Sequence, residues 1–288
     1  MQRDALANVA PPVLPLSVTL RLQKIGLNPT LLFGLMLFSI VLFVAIAAPL
    51  LTPYDPIAQS LGDAFLPPGS PDHILGTDNF GRDMWSRIAY STRLDLQIGV
   101  ISVLFPFAVG SLLGIACGYL GGRFDTVVMR ILDVFMAFPF FILVVAIMSI
   151  LGPGLSNLYI AVGLVGWIPY ARLTRGETLA TRNLEYVQAA RTIGCTTPRI
   201  MVWHVLPNVI APGLVYVFTG MVLAILTGAT LSYLGLGPQP PTPEWGAMIA
   251  AGRQYLMNAW WMTALPGFAL LVVGVAFSLI GDGLAERR

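Results

Sequence analysis

Long apolar runs alternate with short polar connections rich in proline and glycine. A helix crossing the hydrocarbon core of a bilayer needs about 20 mostly apolar residues. Five stretches meet that length: residues 31–51, 96–119, 127–151, 209–231 and 263–284. The third carries Arg130 and Asp133 near its start and Pro139 in its middle, and the last two carry Pro212 and Pro266. Proline is tolerated in a spanning helix because neighbouring groups re-satisfy the freed carbonyls. A sixth stretch, residues 158–170, is short and interrupted by Gly163, Gly166 and Pro169, so hydropathy alone does not decide it.

Charge does. Arg172, Arg175, Arg182, Arg191 and Arg199 follow within a short interval, and positive residues in short loops mark the cytoplasmic side of a membrane. With the sixth span counted, these arginines fall on the same side as Arg3, Arg21, Lys24, Arg123, Arg130, Arg287 and Arg288, and only Arg82, Arg87, Arg93 and Arg253 lie opposite. The expectation is an all-α integral membrane protein of six transmembrane helices with both termini cytoplasmic. It has an N-terminal segment 1–29, a membrane domain 30–284 and a short tail 285–288. Residues 52–94, with five aspartates, and 232–259 form the larger outer loops, and 172–208 the longest inner loop. Ala45-Ile46-Ala47 looks like a signal-peptidase site, but the long polar lead and the length of the apolar run read as an uncleaved first helix.

Composition agrees with lipid as solvent. Hydrophobic residues make up 56% and charged residues 10%, against about 25% charged in an ordinary soluble domain. A net charge of +2 is too small to point to nucleic acid. Cys117 and Cys195 read as small packing residues. Lys24 is the one lysine and precedes Ile25. No phosphate-binding Gly-Lys-Ser/Thr loop exists, and the chain is not itself a P-loop ATPase. His73 and His204 fall on opposite sides, which argues against a two-histidine metal site. No acidic residue sits at mid-membrane, which disfavours a proton-coupled carrier. Arg130 and Asp133 are spaced to pair on one helical face, at a depth where arginine snorkels to the headgroups.

Gly110, Gly114, Gly118 and Gly122 recur every four residues and form a ridge that lets another helix approach closely. The inner loop reads as a helix-turn-helix. Leu184 to Gly194 form a short helix with glycine at its C-terminal cap, Thr197-Pro198 gives a start signal, and the second helix stops before Pro207. Ala189 and Ala190 offer a small flat patch flanked by Arg191, suited to docking into a groove on a soluble partner.

The segment Glu185-Tyr186-Val187-Gln188-Ala189-Ala190-Arg191-Thr192-Ile193-Gly194, followed by Leu206-Pro207-Asn208, resembles the Glu-Ala-Ala loop of ABC importer permeases. Gln188 stands where that pattern has a glutamate. Two more blocks resemble the C-type permeases of the dipeptide/oligopeptide/nickel class. One is His73-Ile74-Leu75-Gly76-Thr77-Asp78 with Gly81-Arg82-Asp83. The other is Leu234-Gly235-Leu236-Gly237 with Pro241, Pro243, Glu244, Trp245 and Gly246. The resemblance implies a type I ABC importer transmembrane fold in a bacterial inner membrane, with no catalytic or cofactor site in this chain. ATP and Mg would be bound by two partner ATPase subunits docking on Glu185, Tyr186, Gln188, Ala189, Ala190, Arg191, Gly194 and Pro207. A homologous B-type permease would complete the path. An extracytoplasmic binding protein would meet the loop of Pro241, Pro243, Glu244, Trp245 and Gly246. The cargo implied is a di- or oligopeptide, or in the same class a nickel chelate or glutathione. The competing reading, a self-sufficient channel or secondary carrier, predicts mid-membrane charges or broken helices.

Overall fold

The computed structural model describes residues 28–286, and no strand occurs among them. The segment 1–27 and Arg287–Arg288, with the positive charges at Arg3, Arg21 and Lys24, lie outside the described residues.

Helix α1 (Pro29–Leu51) opens on Asn28, whose side-chain oxygen accepts from the Leu31 amide at 3.0 Å. The same side chain donates to the carbonyl of Gly283 at 3.1 Å and to Glu286 Oε2 at 2.6 Å, so the first and last described helices meet at one end. Helix α2 (Met84–Leu120) starts twelve residues before the apolar run at 96. Its first turns are polar yet buried: Ser86, Arg87, Ser91, Thr92 and Asp95 all pack inside. Hydropathy could not see them because their partners belong to the fold. The outer loop is correspondingly shorter than 52–94, and residues 52–83 fold over the helix ends as a cap.

The expected single span at 127–151 is two helices, α3 (Gly122–Met136) and α4 (Phe140–Leu151), bent by 86° at the break. Pro139 lacks an amide hydrogen, and its ring disfavours helical backbone at the residue before it. Helix α5 (Leu155–Thr181) is 27 residues long and extends well beyond the run at 158–170 at its α6 end. Its polar and glycine positions keep it from reading as a span by composition. Then follow α6 (Glu185–Thr192), α7 (Thr197–Ile200) and α8 (Leu206–Tyr233). The chain does not stop before Pro207. A π turn over Met201–Val205 joins α7 to α8, and such a widened turn leaves room for the proline ring. Helix α9 (Trp245–Gly252) and α10 (Trp261–Ala285) complete the chain. Among the described residues, four helices are long and apolar enough to cross a membrane, or up to five if the bent α3–α4 pair is one span.

One apolar core joins α1, α2, α8, α9 and α10 around Trp245, Met262 and Phe277. A second joins α2, α4 and α5 around Ile98, Met148 and Leu158. A third, small core lies under α6.

Candidate functional site

Helix α6 is a short amphipathic element held on its inner side. Val187 and Ala190, three residues apart, are buried with Ile115, Ile200, Val205 and Val209. Glu185, Tyr186, Gln188, Ala189, Arg191 and Gly194 are exposed, as is Pro207. The flat patch of two alanines is thus corrected: Ala190 turns inward, and Ala189 alone faces out. The helix ends in a Schellman motif. The Cys195 amide donates to the Ala190 carbonyl and the Gly194 amide to the Arg191 carbonyl, each at 3.0 Å. Gly194 has φ of +82°, and a Cβ there would meet nothing within 4 Å. Glycine is required by backbone handedness, not by space within the chain. Arg191 lies over the Tyr119 ring at 4.8 Å, and its Nε donates to the Tyr119 hydroxyl at 2.9 Å. The end of α2 and the outer flank of α6 are thereby coupled. Gln188 donates to the Asn183 carbonyl at 3.2 Å. At α7 the cap position is Thr196, one residue before the expected Thr197, and Pro198 sits in the first turn.

Three of the four ridge glycines seat α5. A Cβ at Gly110 would meet the Trp167 carbonyl, at Gly114 the Ala171 carbonyl and Thr174 hydroxyl, and at Gly118 Thr178 Cβ at 2.7 Å. Gly122 does not belong to this ridge. It lies past the end of α2, with φ of +60° and no neighbour within 4 Å of a Cβ. Lower on the same pair, Arg182 donates to the Gly118 carbonyl at 2.8 Å. Arg175 grips Asp125 of α3 through two bonds of 2.6 Å. Asp133 pairs with Arg172 at 3.2 Å and not with Arg130, as helical spacing suggested. These bonds tie α3 to α5, and the first residue of α6 follows α5 after a three-residue turn.

At the opposite end, the cap is built from the block around His73. His73 Nδ1 lies 2.9 Å from Asp83 Oδ1, and the second Asp83 oxygen accepts from the Ser86 amide at 2.7 Å as the cap of α2. Asp78 accepts from Arg82 Nε at 2.6 Å and orders the turn through the amides of Phe80 and Arg82. Trp261 Nε1 donates to the Thr77 carbonyl at 3.0 Å, tying the cap to α10. Tyr54, ring to ring with His73 at 4.8 Å, has its phenol pushed up from the ordinary value. Loss of water is the main cause, with Asp72, Asp83 and Asp63 adding to it.

The loop expected to face a binding protein divides. Pro241 and Pro243 line an open cavity of about 680 Å³ with Tyr54, Tyr90, Arg93 and Gln97. Glu244, Trp245 and Gly246 are buried instead. Glu244 caps α9, accepting from the amides of Gly246 and Ala247 at 2.8 Å each. Asp95 accepts from the Trp245 amide at 3.3 Å. A Cβ on Gly246 would strike the Ala229 backbone. A buried cap cannot present itself to a partner, so these three residues belong to the frame of the cap.

Sequence reasoning missed Tyr119, the Arg175–Asp125 bond and Arg93. Arg93 Nε donates to the Ala45 carbonyl and Nη2 to the Ile46 carbonyl at 2.7 Å. Pro49 supplies the signal that was available: it has no amide hydrogen to offer the carbonyl four residues before it, which is Ala45.

Comparisons with known proteins bear on the whole arrangement. Residues 110–288 match the family described as "Binding-protein-dependent transport system inner membrane component". Residues 26–68 match "N-terminal TM domain of oligopeptide transport permease C". The di/tripeptide transport system permease protein DppC of Pseudomonas aeruginosa is 42% identical over 92% of this chain and 89% of its own length. The probable D,D-dipeptide transport system permease protein DdpC of Escherichia coli is 39% identical over 90% and 87% respectively. A chain of the inward-facing MetNI methionine ABC transporter superposes with a TM-score of 0.54 at 19% identity, covering 67% of this chain and 92% of that one, which shows a shared fold. The chain therefore belongs to the family of membrane permease components of binding-protein-dependent ABC transport systems.

Proposed function

We propose that this chain is one of two transmembrane subunits of a bacterial inner-membrane importer that carries di- or oligopeptides at the expense of ATP hydrolysed by partner subunits. The cargo rests on relatives named for di- and tripeptide or dipeptide transport that match along nine-tenths of the chain. The chain crosses the membrane six times, with α4 making the third pass and α5 the fourth, and both ends cytoplasmic. The contact of Asn28 with Gly283 and Glu286 supports this, because an even number of passes returns the chain to its starting side. The division into segments 1–29, 30–284 and 285–288 follows from it. The cap is extracytoplasmic and α6 cytoplasmic.

The observation that carries the coupling role is α6 itself: a fixed, capped helix with one face buried and the other bare. Two ATPase subunits bind the transporter, one of them docking here on Glu185, Tyr186, Gln188, Ala189, Arg191 and Gly194. Movement of α6 travels through Arg191–Tyr119 and the Gly110–Gly114–Gly118 seam into α2 and α5. A homologous permease completes the path, and an extracytoplasmic binding protein delivers cargo to the cap near Pro241 and Pro243. The test is mass spectrometry of what co-purifies with the chain after mild extraction from its native membrane. Two P-loop ATPases and a second permease are expected. Repeated recovery of the chain alone would end the importer reading.

A further inference from the structure

Helix α3 presents an apolar face that this chain leaves bare. Phe124, Val127, Ile131 and Val134 recur at helical spacing and are between 43% and 64% exposed. The other side of the helix is occupied: Leu132 is fully buried, Met129 and Phe135 pack on the α4–α5 core, and Asp125 is held by Arg175. Arg123 and Arg130 flank the bare face, both exposed, and among the described residues neither has an ion-pair partner, since the two carboxylates of α3 are taken by Arg172 and Arg175.

The two ion pairs and the bend at Pro139 bear on the direction of α3. Asp125 and Asp133 are separated by roughly 12 Å along α3, whereas Arg172 and Arg175 are separated by roughly 4.5 Å along α5. Helix α4 packs along α5, α3 is bent from α4 by 86°, and the unequal spacings accord with α3 running across α5. The crossing depth is also set. Arg172 lies roughly 26 Å along α5 from its start at Leu155, and the hydrocarbon layer is about 30 Å thick. A helix crossing there lies at a membrane–water boundary, on the α6 end of the molecule.

We infer that α3 is an interfacial helix lying in the plane of the membrane, with Phe124, Val127, Ile131 and Val134 dipped among the acyl chains and Arg123 and Arg130 bound to anionic phospholipid headgroups. A helix with one apolar face edged by arginines has the physics of such elements. Arginine, with its fork of donors, suits phosphate oxygens. This inference rests on membrane immersion and not on the cargo or partners proposed above.

The test uses the full chain with its co-purifying subunits, in vesicles of phosphatidylcholine with or without phosphatidylglycerol. Nitroxide labels are placed singly at Val127→Cys, Ile131→Cys and Val134→Cys in a background carrying Cys117→Ala and Cys195→Ser. All three labels are expected at one shallow depth, about 5–10 Å below the headgroups, accessible to oxygen. Phosphatidylglycerol should slow their motion, and Arg123→Gln with Arg130→Gln should abolish that slowing. A helix that climbs steeply would give depths differing by about 10 Å between positions 127 and 134. That gradient would overturn the inference. So would labels reached by neither oxygen nor a polar relaxant, because another subunit would then cover the face. Equal depths with no response to phosphatidylglycerol would overturn the headgroup contact.

Discussion

At the residue scale, positions singled out by sequence divide according to whether the backbone or the side chain sets the requirement. Gly194 is a backbone case. Its left-handed conformation with open space around it predicts that Gly194→Ala destabilises the turn by about 1–2 kcal/mol. Gly194→Asn should cost less, because asparagine visits that region more readily. Limited proteolysis of the 185–208 segment, compared between the two variants, checks the order. Arg93 is a side-chain case. Arg93→Met keeps the packing but leaves the Ala45 carbonyl without a donor, and should lower stability by about 1–3 kcal/mol in detergent unfolding. Equal stability of this variant and the parent would mean the carbonyl finds another donor. Glu244→Ala should remove the cap of α9 at about 1–2 kcal/mol, with Glu244→Gln milder because its amide oxygen still accepts. The buried place of Glu244 was not legible, because a glutamate between prolines and a tryptophan reads equally as an exposed recognition loop or as a helix cap.

At the element scale, apolar periodicity located α1, α8 and α10 closely, since those helices are apolar along most of their length. It failed where tertiary partners satisfy polar groups. The first turns of α2 carry Arg87, Ser91 and Asp95 into the interior. The middle of α5 mixes glycine and proline with large apolar residues because α2 lies against it. Pro139 was visible as a proline within an apolar run, but whether it kinks or breaks a helix depends on neighbours that sequence does not show. The glycine ridge was legible through Gly118 and wrong at Gly122, because a period of four continues in the sequence after the helix has ended. The α2–α5 seam predicts a contrast. Gly114→Val places a side chain on the Ala171 carbonyl and should cost about 1–3 kcal/mol or more by overpacking. Gly122→Ala meets no neighbour and should cost only the strain of its positive φ, about 1–2 kcal/mol. Thermal unfolding of the two variants in the same detergent tests the pair, and equal losses would show that the seam is not a close helix contact.

At the scale of the whole molecule, two ends with different construction are joined by long helices. The cap end is tied by a buried ion pair and buried hydrogen bonds: Asp78 with Arg82, His73 with Asp83, Trp261 with Thr77. The α6 end is joined through exposed or half-exposed polar links: Arg191 with Tyr119, Arg175 with Asp125, Arg172 with Asp133. Buried ties at one end and more exposed ones at the other fit the coupling role proposed for α6. The class of the molecule was legible because membrane immersion dictates composition and the Glu-Ala-Ala-like block follows in order. Which face of α6 is bare was not legible in detail, since Ala189 and Ala190 are chemically identical and only packing tells them apart. That bare face carries the coupling role proposed above. The most direct test places a photo-reactive benzophenone side chain at Ala189 in the transporter as extracted from its membrane, with Met257, exposed at the opposite end, as the control position. An adduct with an ATPase subunit is expected from position 189 and none from 257. No ATPase adduct from 189, or equal adducts from both positions, would contradict that role.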